Sequence, residues 1–438
     1  MDFLKDDVKP VYFKYLKAAF GSAMITSIYS IVDMAVVGQY EGTLGTAALA
    51  VVAPIWNIIY SLGLLMGIGG SVIFSTLKGQ NNSDDSNKYF TSSIIGSIIL
   101  SIITWILFVV FEKQILIFFG ADETLLSLAY EYLIPIKVIL PLYLFNQMLA
   151  AFIRNDNNPN LATIGVLSGG LFNCVGDYAF VFIFKMGIYG AGLATSIGSL
   201  ISFIVMVTHF FNERCSLKFV KTDKLFCKLK EITVTGFSTF FIDVAMGILT
   251  ILFNKQIMKY LGSDALSIYG PIINISTFAQ CCAYSVGQAS QPIISMNFGA
   301  KQYERIKEVL SLALKTCLVF GLFWTLLSLI YPNLYIYMFM KPTENILKIA
   351  PSIIRRYGIS FLILPFNIFS TYFFQAISKP NIAFVVSVLR GLVISGILIY
   401  ALPVIFNGNA IWFTMPITEL LVVVYASIMM KKCVDMLK

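Results

Sequence analysis

Charge is scarce in this chain: only 12% of its 438 residues are Asp, Glu, Lys or Arg, while 58% are hydrophobic. A soluble protein of this size carries about a quarter charged residues, and no polar stretch here is long enough to fold as a separate soluble domain. Histidine occurs once, at His209. That excludes a histidine-based metal centre and leaves His209 as an interfacial side chain near the inner end of its span. The seven cysteines (Cys174, Cys215, Cys227, Cys281, Cys282, Cys317 and Cys433) show no paired spacing, so they read as small packing residues rather than a disulfide framework. No GxxxxGKS or GxxxxGKT phosphate loop is present, which excludes an ATP-driven pump of that type. The Asp84–Asp85 pair in NNSDDSNK lacks a DDxxD pattern and is a solvated face. The opening MDFLKDDVKPVYFKYLK has no short apolar region ending in a cleavage site, so the first span is expected to stay.

What the chain does have is apolar runs, each long enough to cross the hydrocarbon core as a helix. Twelve are expected, at about 13–38, 46–75, 91–111, 132–152, 161–184, 190–211, 234–260, 266–294, 309–330, 352–375, 383–405 and 411–430. The fold class is therefore an all-α polytopic membrane protein. With the N-terminus inside, 21 Lys and Arg fall on the inner side and 9 on the outer, with Arg390 left within a span. This bias orients short loops and places both termini in the cytoplasm, in a plasma (cytoplasmic) membrane. The net charge of +8 is thus a topology signal; the partner is the lipid bilayer and not nucleic acid.

One half of the sequence is written twice. LGTAALAVVAPI (44–55) lies over LGSDALSIYGPI (261–272) at an offset of 217. FIRNDNNPNLA (152–162) lies over FFQAISKPNIA (373–383) at an offset of 221, and STLKGQNN (75–82) meets MNFGAKQY (296–303) at the same offset. The expected organisation is an N-terminal six-helix lobe at 1–211, a basic cytoplasmic linker at 212–231 and a C-terminal six-helix lobe at 232–438. Six spans per repeat give both halves the same sense in the membrane, the design of transporters that bind substrate between two bundles.

The chemistry is expected where charge is buried. Asp33 and Asp177 each lie inside a span, where a carboxylate costs about 3 kcal/mol or more and is kept beside a partner or a wet cavity. Asn173 precedes Asp177 by one helical turn on the same face, and Thr195 begins the next span. Asp33, Asn173, Asp177 and Thr195 offer four oxygens, two of them anionic, a set suited to Na⁺ or to a proton. In the second half, offset 221 puts Leu398, Ile394 and Asn254 at the places of Asp177, Asn173 and Asp33, so ion binding should live in the first half. Asp243 is open to two readings, a site for a cationic substrate or second ion, or a buried hydrogen bond. Glu419 reads as structural, paired with Arg390. Candidate cavity aromatics are Tyr29, Phe152, Phe172, Tyr178, Phe278 and Tyr284, each of which could equally serve packing. Pro54, Pro135, Pro141, Pro271 and Pro365 are candidate bends, and the Gly67–Gly70 and Gly169–Gly170 clusters are expected at close helix contacts.

VDMAVVGQYEGTLGTAALA (32–50), AFIRNDNNPNLATIGVLSGGLFNCVGDYAFVF (151–182), GIYGAGLATSIGSLIS (187–202) and SQPIISMNFGAKQYER (290–305) resemble the multidrug and toxic compound extrusion (MATE) transporters, above all their MepA-like and archaeal-like branches. QAISKPNIAF (375–384) and GNAIWFTMPITE (408–419) extend the likeness into the second half. The resemblance implies a V-shaped pair of six-helix lobes and a secondary antiporter, not an enzyme. It would export bulky, amphipathic, often cationic small molecules as a monomer, with no cofactor beyond Na⁺ or H⁺ as coupling ion. The family's first-half cation site falls on Asp33, Asn173, Asp177 and Thr195. Other branches use acids in spans seven and ten; Asp243 answers to the former, but span ten here has none. The alternative is a flippase for a lipid-linked saccharide, which needs cations along its cleft for pyrophosphate. A membrane-embedded enzyme lacks a catalytic set with convincing spacing, and a passive channel lacks a selectivity sequence.

Overall fold

The computed structural model describes residues 3–340 and 342–437. Its helices, in chain order, are α1 (Val8–Gly79), α2 (Ser83–Phe118), α3 (Glu123–Asn155), α4 (Pro159–Tyr178), α5 (Gly187–Val207), α6 (Leu225–Gly299), α7 (Tyr303–Ile330), α8 (Pro332–Phe339), α9 (Glu344–Gly358), α10 (Leu364–Ala376), α11 (Pro380–Val388), α12 (Ile394–Ile405) and α13 (Thr414–Met436). No strand occurs among the described residues. Ten stretches of the described chain are helical, long and apolar enough to span a bilayer.

Two of those stretches are α1 and α6, of 72 and 75 residues. At about 1.5 Å per residue, each is several times longer than a single crossing needs. Each is broken once, at Gly42 (φ 69°, ψ −150°) and at Gly262 (φ 79°, ψ −172°). Only glycine takes that backbone without a clash between Cβ and carbonyl, so these two glycines divide each long helix into two helical segments, each long enough for one crossing. The expected prolines do not perform this role. The backbone stays helical through Pro54, Pro135, Pro141 and Pro271, while Pro365 sits in the first turn of α10, where its missing N–H costs nothing.

The repeat recurs in backbone geometry. Left-handed residues lie 220 or 221 positions apart at Gly42 and Gly262, at Asn81 and Lys301, and at Asn157 and Ser378. Helix ends follow the same spacing: α3 ends at Asn155 and α10 at Ala376, while α4 and α11 each open on proline, Pro159 and Pro380.

The chain forms two compact units, unit 1 over Lys17–Phe240 and unit 2 over Phe3–Leu16 with Phe241–Lys438. These limits differ from the sequence expectation at two places. Residues 3–16 belong with unit 2, where the Phe3 carbonyl accepts from Asn297 Nδ2 (3.2 Å) and Arg305 Nη2 (2.8 Å), and Tyr12 donates to Thr316. The stretch read as a linker is laid against unit 1. Leu217 is buried there beside Phe90 and Phe152, the Lys218 N–H donates to Asn87 Oδ1 (2.8 Å) and the Val220 N–H to Thr91 Oγ1 (3.1 Å).

Candidate functional site

The four expected donors of unit 1 come together. α4 supplies Asn173 and Asp177 one turn apart, and Asn173 Nδ2 donates to Asp177 Oδ1 (3.3 Å) and to Thr195 Oγ1 of α5 (3.0 Å). α1 supplies Asp33, whose charge acts directly on Asp177. α3 adds a residue the sequence reading missed: Tyr132, whose hydroxyl donates to Asp33 Oδ2 (2.9 Å). Nothing in the sequence marked it, since a tyrosine in an apolar span resembles many others. Just after Asp177 the helix widens into a π-helical turn at Ala179–Ile183, closed by Phe184 N–H donating to the Ala179 carbonyl, a backbone feature frequent at functional sites.

Helices can approach this closely because their contact surfaces are bare. A Cβ on Gly169 would lie 2.4 Å from the Gly198 carbonyl oxygen, and one on Gly198 2.6 Å from that of Gly169. The α4–α5 seam therefore demands glycine at both positions.

Asp33, Asn173 and Asp177 are all buried, yet each keeps one oxygen without a hydrogen-bond partner: Asp33 Oδ1, Asn173 Oδ1 and Asp177 Oδ2. Buried polar atoms are almost always satisfied, so three orphans in one cluster need an explanation. The hydrogen-bond partners of the two carboxylates, Tyr132 and Asn173, are neutral. Two anions and an amide carbonyl, all with free lone pairs, form a donor set that fits a hard cation or a bound proton. A cavity of about 50 Å³ adjoins the cluster, lined among others by Tyr29, Tyr143, Asn146, Asn173, Thr195 and Ser202. That is room for a few water molecules.

Of the aromatics expected at a cavity, Tyr29 lines this one. Phe152 does not: it is fully buried and packs edge-to-face on Phe74 and Phe90 (5.8 and 5.1 Å between ring centres), a core residue of unit 1. Tyr178 is exposed beside Phe182, and Phe172 and Phe278 are half-buried outside the cavity's lining. In unit 2, Tyr284 donates to Asp243 Oδ1 (3.0 Å). Arg390 Nε donates to Glu419 Oε1 (2.8 Å), the pairing the sequence suggested.

His209 lies at the end of its span, as expected, and is buried against the protein, with Nε2 2.9 Å from Asp156 Oδ2 and Nδ1 3.2 Å from Asn158 Nδ2. Asp156 accepts in addition from Lys78 Nζ (2.8 Å), the Ser216 N–H (2.9 Å) and the Ser216 hydroxyl. Cys215 brings a third ligand-type atom within 4.8 Å. Because both carboxylate oxygens are already engaged, one of them by an ammonium, the cluster is a polar brace rather than a vacant ligand set.

A family model described as MatE matches residues 18–179 and again 239–401, once in each half of the chain. The chain belongs to the MatE family. Among curated relatives, the multidrug export protein MepA of Staphylococcus saprophyticus is 24% identical over 400 residues, covering 89% of this chain and 85% of the relative. MepA of Staphylococcus aureus is 24% identical over 393 residues, covering 89% and 84%. Among solved structures, the outward-facing conformation of a multidrug resistance MATE family transporter of the MOP superfamily superposes with a TM-score of 0.92 at 18% identity, over 100% of this chain and 98% of that one. A MOP superfamily transporter from Pyrococcus furiosus, reported for the reversed polarity of its binding pocket, gives 0.90 at 18%, over 99% and 98%. The all-helical fold expected from the sequence is thus the fold of MATE transporters.

Proposed function

We propose that this MatE-family chain is a secondary antiporter of the plasma membrane. It exports amphipathic, often cationic organic molecules in exchange for Na⁺ or H⁺, as a monomer with cytoplasmic termini, and has no enzymatic activity. The observation that carries the reading is the trio of orphaned oxygens on Asp33, Asn173 and Asp177. The relatives named as multidrug export proteins supply the substrate class.

Asp33 and Asp177 are buried with neutral hydrogen-bond partners, so ionising both would place two negative charges in a low-dielectric interior at a cost of several kcal/mol. A cation or proton removes that cost. Asn173 Oδ1, Thr195 Oγ1 and the carboxylates would hold Na⁺ by direct oxygen contact; a proton would instead sit on one carboxylate. Tyr132 fixes Asp33 through its second oxygen. A ligand shifts a conformational equilibrium only by its differential affinity for the two states. The coupling ion therefore drives transport if these oxygens converge in one state and separate in the other.

The flippase alternative needs unengaged cations within the spans. Of the span cations Arg390, Lys137 and Lys315, Arg390 is tied to Glu419 at 2.8 Å and Lys137 to Glu112 at 2.6 Å, which leaves that reading few recognition groups. The test is ethidium efflux from drug-sensitive, energised cells carrying the wild type or Asp33→Asn at equal membrane levels, with and without Na⁺. Export by the wild type and its loss in the variant is the expected result, and Na⁺ dependence identifies the ion. Undiminished export by Asp33→Asn would remove the coupling role from this site.

A further inference from the structure

Offset 221 sets three positions of unit 1 beside three of unit 2. Asn146 corresponds to Asn367, Gly169 to Arg390 and Gly198 to Glu419. In unit 1 these three line the small polar cavity next to the cation cluster. Asn146 Nδ2 donates to the Ser199 carbonyl (2.8 Å), and its Oδ1 has no partner. In unit 2 the arrangement of the amide is similar but one residue out of register: Asn367 Nδ2 donates to the carbonyl of Glu419 (2.9 Å), the residue before the place of Ser199, and its Oδ1 is again orphaned. The two glycines, however, are replaced by a guanidinium and a carboxylate in direct contact. Arg390 Nε donates to Glu419 Oε1 (2.8 Å), while Asn367 Nδ2 also donates to Glu419 Oε2 (2.6 Å).

Glu419 and Asn367 are fully buried and Arg390 is 5% exposed. The π-helical turns of the two units do not correspond in the repeat: that of unit 1 is Ala179–Ile183, whereas that of unit 2, Leu389–Val393, contains Arg390 itself. Arg390 also acts electrostatically on Tyr284, the donor to Asp243, and on Tyr357.

We propose that Arg390 is the resident cation of unit 2: its guanidinium fills a cation site built by Glu419 and Asn367, the repeat-related counterpart of the place left open in unit 1. A tethered cation cannot dissociate, so unit 2 stays loaded through every cycle and the exchangeable ion belongs to unit 1 alone. That last step rests on the reading of the Asp33 site given above; the site in unit 2 does not. Asp243 then serves as a hydrogen-bond acceptor for Tyr284 rather than as a second-ion site.

The experiment uses purified full-length protein in an Asp33→Asn background, so that any response of unit 1 is silenced. Melting of Asp33→Asn alone is compared with Asp33→Asn/Arg390→Ala in rising guanidinium chloride, NaCl and tetramethylammonium chloride at constant ionic strength. Loss of the tether leaves Glu419 uncompensated, so the Arg390→Ala protein should melt lower. It should recover at least half of that loss saturably in millimolar guanidinium or Na⁺, but not in bulky tetramethylammonium, and adding Glu419→Gln should abolish the recovery. A pair that merely braces helices gives a weakened protein indifferent to small cations, and that outcome would overturn the proposal.

Should Arg390→Ala not fold, Arg390→Met/Glu419→Met removes both charges together, a change that buried pairs often tolerate. With Asp33 intact, this variant should retain ethidium efflux and its ion dependence within about twofold. Efflux lost in a normally folded double variant would place Glu419 in coupling and refute the resident-cation role. Failure of ethidium transport by the wild type itself would bear on the antiporter reading, not on the melting result.

Discussion

Tyr132 of α3 reaches across to Asp33 of α1 and donates its hydroxyl to Oδ2 at 2.9 Å, while Oδ1 of the same carboxylate is left without a partner. The acid is thus half satisfied by the protein and half reserved. Removing the hydroxyl in Tyr132→Phe leaves the second oxygen orphaned as well, at a cost of about 1–3 kcal/mol. The variant should melt several degrees below the wild type when no coupling ion is bound. Saturating Na⁺, or acid if the ion is H⁺, removes the anionic burden and should narrow the gap. Melting curves across both titrations decide the matter, and a gap indifferent to both would separate Asp33 from ion binding.

Asp33 and Asp177 form one site, and their losses should not add. Asp33→Asn and Asp177→Asn are each expected to lower initial ethidium efflux at least about tenfold, and the double variant should be no slower than either single one. Initial rates at matched membrane levels test this. Multiplying defects would show two independent coupling groups.

The seam beneath the site gives a sharper contrast. Gly198→Ala places a methyl 2.6 Å from the Gly169 carbonyl oxygen, whereas a Cβ at Gly247 meets nothing within 4 Å. Overpacking costs about 1–3 kcal/mol, so Gly198→Ala should melt measurably lower and transport poorly. Gly247→Ala should be neutral or up to about 1 kcal/mol more stable, since alanine is the better helix former. Equal melting of the two variants would mean that the α4–α5 approach is not this close.

The sequence reveals long-range order here because duplication prints it twice. Turn residues such as Asn157 and Ser378 adopt the same left-handed backbone 221 positions apart, and the matched segments around them were visible before any fold. Asp33 and Asp177 stood out because carboxylates within apolar spans are rare, and Asn173 because it lies one helical turn before Asp177. Three things were not visible, for physical reasons. Tyr132 carries no charge to distinguish it. The breaks at Gly42 and Gly262 use backbone freedom that a glycine count does not report, and proline drew attention away from them. The Asp156–His209 brace joins residues 53 positions apart, a contact that no local pattern encodes.

That brace carries its own pH signature. Burial alone would push the Asp156 carboxyl up. The hydrogen bond from His209, the Lys78 charge and hydrogen bond, and the Ser216 hydroxyl outweigh burial and hold it below the ordinary carboxylate range. A carboxyl lowered by folding contributes stability that is fully present above its unfolded pKa, about 3.9, and is lost as pH falls through the lower folded value. Asp156→Asn should therefore melt below the wild type by a margin nearly constant from neutral pH down to about 4, shrinking only in stronger acid. Lys78→Met, which removes one opposing charge, should show a smaller deficit over the same window. Melting temperatures from pH 7 down to pH 3 in detergent provide the check. A margin that already closes between pH 7 and pH 5 would show that Asp156 is not held as a stabilised carboxylate, and that the brace owes its strength to packing.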